Sequence, residues 1–116
     1  MIQIVTSSRY KINRRRIRKH LEGLFLKNEL PEEIEVNCIF IGKNKMRDIA
    51  ETYKKEDVAL PVLSFSYRNN PAHSGNLLGE IFLCYPQIVL LAAERNKRVE
   101  DMIDAMITHG FDNLLK

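Results

Sequence analysis

The sequence predicts an α/β (α+β) fold, a small mixed four-stranded sheet with helices packed on it in the order β-α-β-α-β-β-α-α, and three observations carry that prediction. Two β-α units follow one another at the start of the chain, and a parallel return between their strands needs a helical crossover. Two β-favouring runs, residues 62–67 and 77–84, flank a turn-rich loop and can pair as antiparallel neighbours. The last stretch, residues 98–116, holds the most regular apolar pattern: Val99, Met102, Ile103, Met106, Ile107, Gly110 and Leu114 recur at steps of three and four, an amphipathic helix that buries one stripe.

Each element has its own local reason. Ile2, Ile4 and Val5 start a strand that ends in the turn-prone Thr6, Ser7 and Ser8. Asn13 caps a helix whose Ile17, Leu21, Leu24 and Phe25 keep helical step, ending near Lys27 or Asn28 before Pro31. Residues 34–41 alternate Ile34, Val36, Cys38 and Phe40 against Glu35, Asn37, Ile39 and Ile41, a strand buried on one side and half buried on the other. Met46, Ile49, Ala50 and Tyr53 mark a second helix, followed by a charged loop over residues 54–57 and by Pro61. Between the two later strands lies the loop 68–76, and Pro86 suits the first turn of a third helix through Ile88, Leu91 and Ala92 to near Asn96.

One domain over residues 1–116 is expected, long enough to bury about two thirds of its unfolded surface. With 45% hydrophobic and 28% charged residues, the composition excludes disordered, collagen-like and disulfide-dense classes. No apolar run reaches membrane-span length, and residues 1–5 read as a strand rather than a signal peptide, so a cytoplasmic protein is expected. Cys38 and Cys84, far apart in strand-like runs, read as reduced buried thiols.

The net charge of +3 conceals an asymmetry. Arg9, Lys11, Arg14, Arg15, Arg16, Arg18 and Lys19 form a run with no acid among them, leaving the rest of the chain net negative. Such a patch supplies the salt-dependent part of nucleic-acid binding, and Arg14, Arg15, Arg18 and Lys19 are its candidate RNA contacts; a merely solvated helix face is the other reading.

Among the remaining chemistry-bearing residues, His109 sits at the edge of the last helix's apolar stripe, with Asn113 one turn on and projecting from the same side. That pair reads either as part of a metal site or as a helix-end histidine bonded to a carbonyl, since a lone imidazole binds metal weakly. Glu80 is the best carboxylate for orienting a water or ligand, and equally a strand-end charge. Ser64 reads as a strand serine facing a polar cleft, because no motif places a His-Asp partner for it. His20 and His73 read as surface residues, Met102 and Met106 as core.

The motifs Thr52-Tyr53-Lys54-Lys55-Glu56-Asp57, Val62-Leu63-Ser64-Phe65, Leu78-Gly79-Glu80-Ile81 and His109-Gly110 occur in the order and at the approximate spacing of the YbeY-type rRNA maturation factors, bacterial endoribonucleases that the chain resembles over nearly its whole length. The resemblance implies a zinc-dependent, single-strand-specific ribonuclease that helps mature small-subunit ribosomal RNA and associates with the small ribosomal subunit. In that family the last helix carries His-Gly, a second His four residues after the first and a third six beyond, three imidazoles that leave one zinc position open to acidify water and polarise a phosphodiester. Here His109 and Gly110 match, Asn113 stands in the place of the second His, and the sequence ends at Lys116, so a truncated metal motif with weak or absent zinc is expected. A second alignment sets Gly110-Phe111-Asp112-Asn113 on the family's closing Gly-Tyr-Asp-His and also leaves one imidazole.

Lys54 occupies the position of a family Arg near the catalytic cleft, keeping a point charge for phosphate without the bidentate fork. Ser66 replaces a usual Pro and Pro61 a usual Asn or Asp. The resemblance thus makes Lys54 and Glu80 the catalytic candidates and His109 the metal ligand. The expected function is an endoribonuclease of rRNA maturation; the alternative is an RNA- or ribosome-binding module without the zinc site.

Overall fold

The computed structural model describes residues 1–67 and 75–116. Residues 68–74, which include His73 and most of the expected 68–76 loop, lie outside the described residues. The elements follow the predicted order: β1 (Ile2–Val5), α1 (Arg14–Lys27), β2 (Glu35–Ile41), α2 (Lys43–Lys54), β3 (Val62–Ser66), β4 (Leu77–Cys84), α3 (Tyr85–Glu94) and α4 (Val99–Leu114). Boundaries shift by a residue or two from the pattern-based ones. Asn13 does cap α1, its side chain accepting from the Arg16 backbone N–H at 3.1 Å.

The sheet order is β1-β2-β4-β3, with β1, β2 and β4 parallel and β3 antiparallel to β4. The β1–β2 step is the parallel return across α1, whereas α2 leads to the antiparallel edge strand β3, and β4 comes back as its antiparallel neighbour to lie parallel beside β2. The register of β2 on β4 slips between Glu35 and Val36, where Leu78 is an extra residue between Leu77 and Gly79.

The sheet's two faces are unequally covered. Val36, Cys38 and Phe40 of β2 and Ile81 and Leu83 of β4 join the main core with α1, α3 and α4. On the second face a smaller cluster, Ile41, Met46, Ala59, Leu63 and Cys84, lies with α2. Both cysteines are free and buried, and burial pushes the Cys38 thiol up to about 12.

Helix α4 is the organising helix, touching β3, β4, α1 and α3. Its buried stripe is wider than expected and includes Phe111, which is fully buried with its ring 5.8 Å from that of Phe25. A helix enclosed on several flanks buries more than the single seam that a step of three and four picks out. Tyr53, expected on the apolar stripe of α2, is 65% exposed, because that helix covers only part of its face.

Candidate cleft at the β3 edge and the basic helix

Two glycines seat α4 against the sheet. A Cβ on Gly110 would meet Ile81 Cγ2 at 2.8 Å and Val62 Cγ2 at 3.2 Å, and one on Gly79 would run into the Phe65 carbonyl oxygen and Leu114. Only the missing side chains allow so close an approach. The His-Gly pair therefore has a structural logic: Gly110 brings the helix down on β3 and β4, and His109 beside it, with Asn113 one turn on, reaches the β3 edge.

A cleft of about 430 Å³ opens there, and Lys54, Ser64, Ser66, His109 and Asn113 are among its lining residues, with Glu56 at its rim. Lys54 is the last residue of α2; Lys55 then takes a left-handed conformation, φ 58°, which ends the helix and turns the chain back toward β3. Lys54 and His109 are both exposed, Ser64 and Asn113 half-buried.

β3 adds backbone chemistry to this cleft. Tyr67 N–H donates to Leu78 and Cys84 N–H to Pro61, so the odd-numbered residues of the strand bond β4 and the even-numbered Val62, Ser64 and Ser66 turn their N–H and C=O groups outward. Among the described residues no backbone group answers them. Their side chains share the α4 face: the Ser66 hydroxyl donates to the Leu114 carbonyl at 3.4 Å.

The structure thus brings Lys54, His109, Asn113 and Ser64 together, and it does not bring Glu80 to them. Glu80 stands on the second face of β4, alternating with Gly79 and Ile81, which face α4. Its carboxylate accepts from Tyr67 Oη at 2.8 Å and from Asn37 Nδ2 at 3.4 Å. Burial, then the Glu80 hydrogen bond, pushes the Tyr67 phenol up to about 12. A larger hollow of about 510 Å³ lies by β1 and the end of α1 and involves none of these residues; of the sequence-predicted candidates only Arg18 lines it.

The basic run divides by partner. Arg14 donates to the Ile4 carbonyl at 2.6 Å and Arg18 to the Ile2 carbonyl at 2.9 Å. Arg16 reaches Asp101 at 2.7 Å, Asp104 at 2.9 Å and Glu100 at 3.1 Å, binding α1 to the start of α4; the Asp101 and then the Asp104 hydrogen bonds raise its pKa. Arg15 and Lys19 are exposed and border a shallow hollow with Asn13. His20 is half-buried rather than a surface residue, its Nε2 2.8 Å from Thr108 Oγ1 on α4. Sequence could show five cations in the first six positions of one helix but not that two of them face backbone carbonyls of the preceding strand.

A family model described as Endoribonuclease YbeY matches residues 3–115. Relatives of that name include proteins from Thermodesulfovibrio yellowstonii, 33% identical over 84% of this chain and 60% of that protein, and from Malacoplasma penetrans, 29% identical over 85% of this chain and 66% of that one. The chain spans 57% to 66% of the length of the curated relatives it matches. The solution structure of a protein from Thermotoga maritima superposes with a TM-score of 0.64 at 22% identity, covering all of this chain and 73% of that one, and so shares the fold.

Proposed function

Because the chain belongs to the endoribonuclease YbeY family, we propose that it acts on single-stranded RNA in the maturation of the small ribosomal subunit, in the cytoplasm, with the phosphodiester backbone held in the cleft between Lys54 and His109. The observation that carries this reading is the convergence of those two side chains with the outward-facing edge of β3 in one cleft. Lys54 supplies a point charge for a phosphate. The outward N–H groups of Ser64 and Ser66 are donors for phosphate oxygens, of the kind that carry no sequence information. An imidazole is the side chain suited to proton transfer near neutral pH, and His109 holds that place at the scissile group. Arg15 and Lys19, which make no ion pair among the described residues, guide the strand by charge. Glu80, turned to the other face, has no part in the chemistry of this cleft.

The family implies zinc, and the described residues do not fit it by themselves. A catalytic zinc takes three protein ligands, commonly imidazoles. The cleft offers His109, the poorer amide oxygen of Asn113 and a rim carboxylate, and among the described residues no three His, Cys, Asp or Glu side chains group as ligands. The same donor set favours a second reading, an RNA- or ribosome-docking module that binds without cutting.

Metal content by elemental analysis, with cleavage of a single-stranded RNA in the presence and absence of chelator, tests both. Cutting that survives the chelator supports the residue-based cleft, and stoichiometric zinc with chelator-sensitive cutting restores the three-ligand centre. Salt-dependent binding without cutting selects the docking module. Absence of any RNA binding overturns the reading.

A further inference from the structure

The second face of the sheet carries a surface that neither the cleft nor the core uses. The strand registers set its residues in rows. Leu63, Phe82, Ile39 and Val5 lie side by side across the four strands, and Phe65, Glu80, Asn37 and Gln3 form the next row. Helix α2 covers the row above, where Ile41 and Cys84 are buried in one cluster with Met46 and Ala59, and the same cluster takes in Leu63 at the end of the first row. Below that line the face is open: Val5 is 51% exposed, Gln3 exposed, and Phe82, Ile39, Phe65, Asn37 and Glu80 only half-buried. Tyr53, 65% exposed, extends the aromatic row at one end, its ring 5.0 Å from Phe65, whose ring is 5.7 Å from Phe82.

Resting on the RNA reading above, we infer that this open half-face is a base-binding surface for single-stranded RNA, on which Tyr53, Phe65 and Phe82 stack unpaired bases and Glu80 and Asn37 bond their edges. Aromatic side chains on an exposed four-stranded sheet are a known physical solution for stacking two or three bases. Three features favour a nucleic-acid strand over a protein partner. The row beside the aromatics is polar, with an amide and a carboxylate adjacent, and each Glu80 oxygen has one described partner and so retains acceptor capacity for a base amino group. Cations stand at the aromatic end of the rows, Lys54 and Lys55 following Tyr53 at the end of α2, where a phosphate flanking the bases would lie. The aromatic end adjoins the cleft around the β3 edge: Tyr53 precedes the cleft residue Lys54 in α2, and Phe65 stands on the opposite face of the edge strand from the cleft residues Ser64 and Ser66. A strand leaving the cleft past Lys54 meets Tyr53 first.

The test measures binding of a fluorescent single-stranded oligoribonucleotide to the full chain, beside the same oligonucleotide with abasic sites, and maps photocross-links from 4-thiouridine. Tyr53→Ala, at an exposed position where the fold does not depend on the ring, is expected to weaken binding roughly tenfold, as the loss of one stacked base does. Tyr53→Phe should restore it. Abasic substitution should weaken binding to the unmodified chain and have little further effect on Tyr53→Ala, and cross-links should fall on Tyr53, Phe65 or Phe82. Unchanged affinity of Tyr53→Ala, with cross-links confined to α1 and α4, would overturn the sheet-face surface and leave the cleft reading standing. No RNA binding by the unmodified chain would remove both.

Discussion

At one edge of the sheet, β1 turns the Ile2 and Ile4 carbonyls outward, and α1 meets them with Arg18 and Arg14. At the other, β3 turns out the backbone of Val62, Ser64 and Ser66, and no described backbone group meets them. The match at β1 is metrical. Arg14 and Arg18 are one helical step of four apart, about 6 Å along the axis, and the two carbonyls are two strand residues apart, about 6.6 Å. An open strand edge is a template for unwanted pairing, and charged side chains are one of the ways proteins close it. The contrast teaches that half of the apparent RNA patch is spent on sealing one edge, while the unsealed edge is the one that borders the cleft. The phosphate-facing charge left on α1 is then Arg15 and Lys19.

The largest effect is expected from Gly79→Ala, which attacks the β3 side. The new methyl would overlap the Phe65 carbonyl oxygen and Leu114, so backbone, not a flexible side-chain tip, must move. A loss of about 3 kcal/mol in denaturant unfolding is expected, the upper part of the overpacking range. A neutral result would mean that α4 is not seated on the sheet through this glycine, and the geometry of the cleft would lose its cause.

The β1 side is broken by Arg14→Ala with Arg18→Ala. Two outward carbonyls lose charged donors, one partly buried and one exposed, for a combined cost of about 1–2 kcal/mol after allowance for solvent. Concentration-dependent self-association in sedimentation should accompany it, because the edge is then open. Lys54→Ala supplies the counterpart at β3: stability unchanged, and single-strand RNA affinity reduced about tenfold, equivalent to ~1.4 kcal/mol. If instead the arginine pair governs RNA affinity and Lys54 does not, the two edges have been assigned the wrong way round.

How much of this contrast the sequence discloses depends on distance along the chain. The element order, the Asn13 cap, the antiparallel β3–β4 neighbours and the α4 stripe are local patterns of period two or three to four, and they are legible. The convergence of Lys54 with His109 came through the family motif, since nothing local joins residues so far apart. Glu80 is the instructive case. Its alternation with Gly79 and Ile81 was visible, but which face of β4 receives α4 is decided by Gly79 accommodating Leu114, a tertiary fact. Likewise the step of four between Arg14 and Arg18 is plain in the sequence, while their acceptors on β1 are set by the parallel packing of the first β-α unit.

The smallest effect concerns the cap that delivers the sealing arginines. Asn13 accepts the Arg16 N–H at 3.1 Å and so fixes the first turn of α1, the turn that holds Arg14 and Arg16. Replacing an N-cap Asn by Ala costs about 1 kcal/mol, because one backbone donor of the turn loses its partner. Arg14 stands at the first helical position, where fraying is greatest, and Arg18 one turn further in, where it is less. Asn13→Ala should therefore loosen the Ile4 contact more than the Ile2 contact. Amide hydrogen exchange should quicken in the first turn of α1 and at the C-terminal end of β1, and stay unchanged in β3 and α4. Equal quickening at both edges would mean that the two are coupled through the sheet, and that sealing one and leaving the other open is not a division of labour but a single cooperative unit.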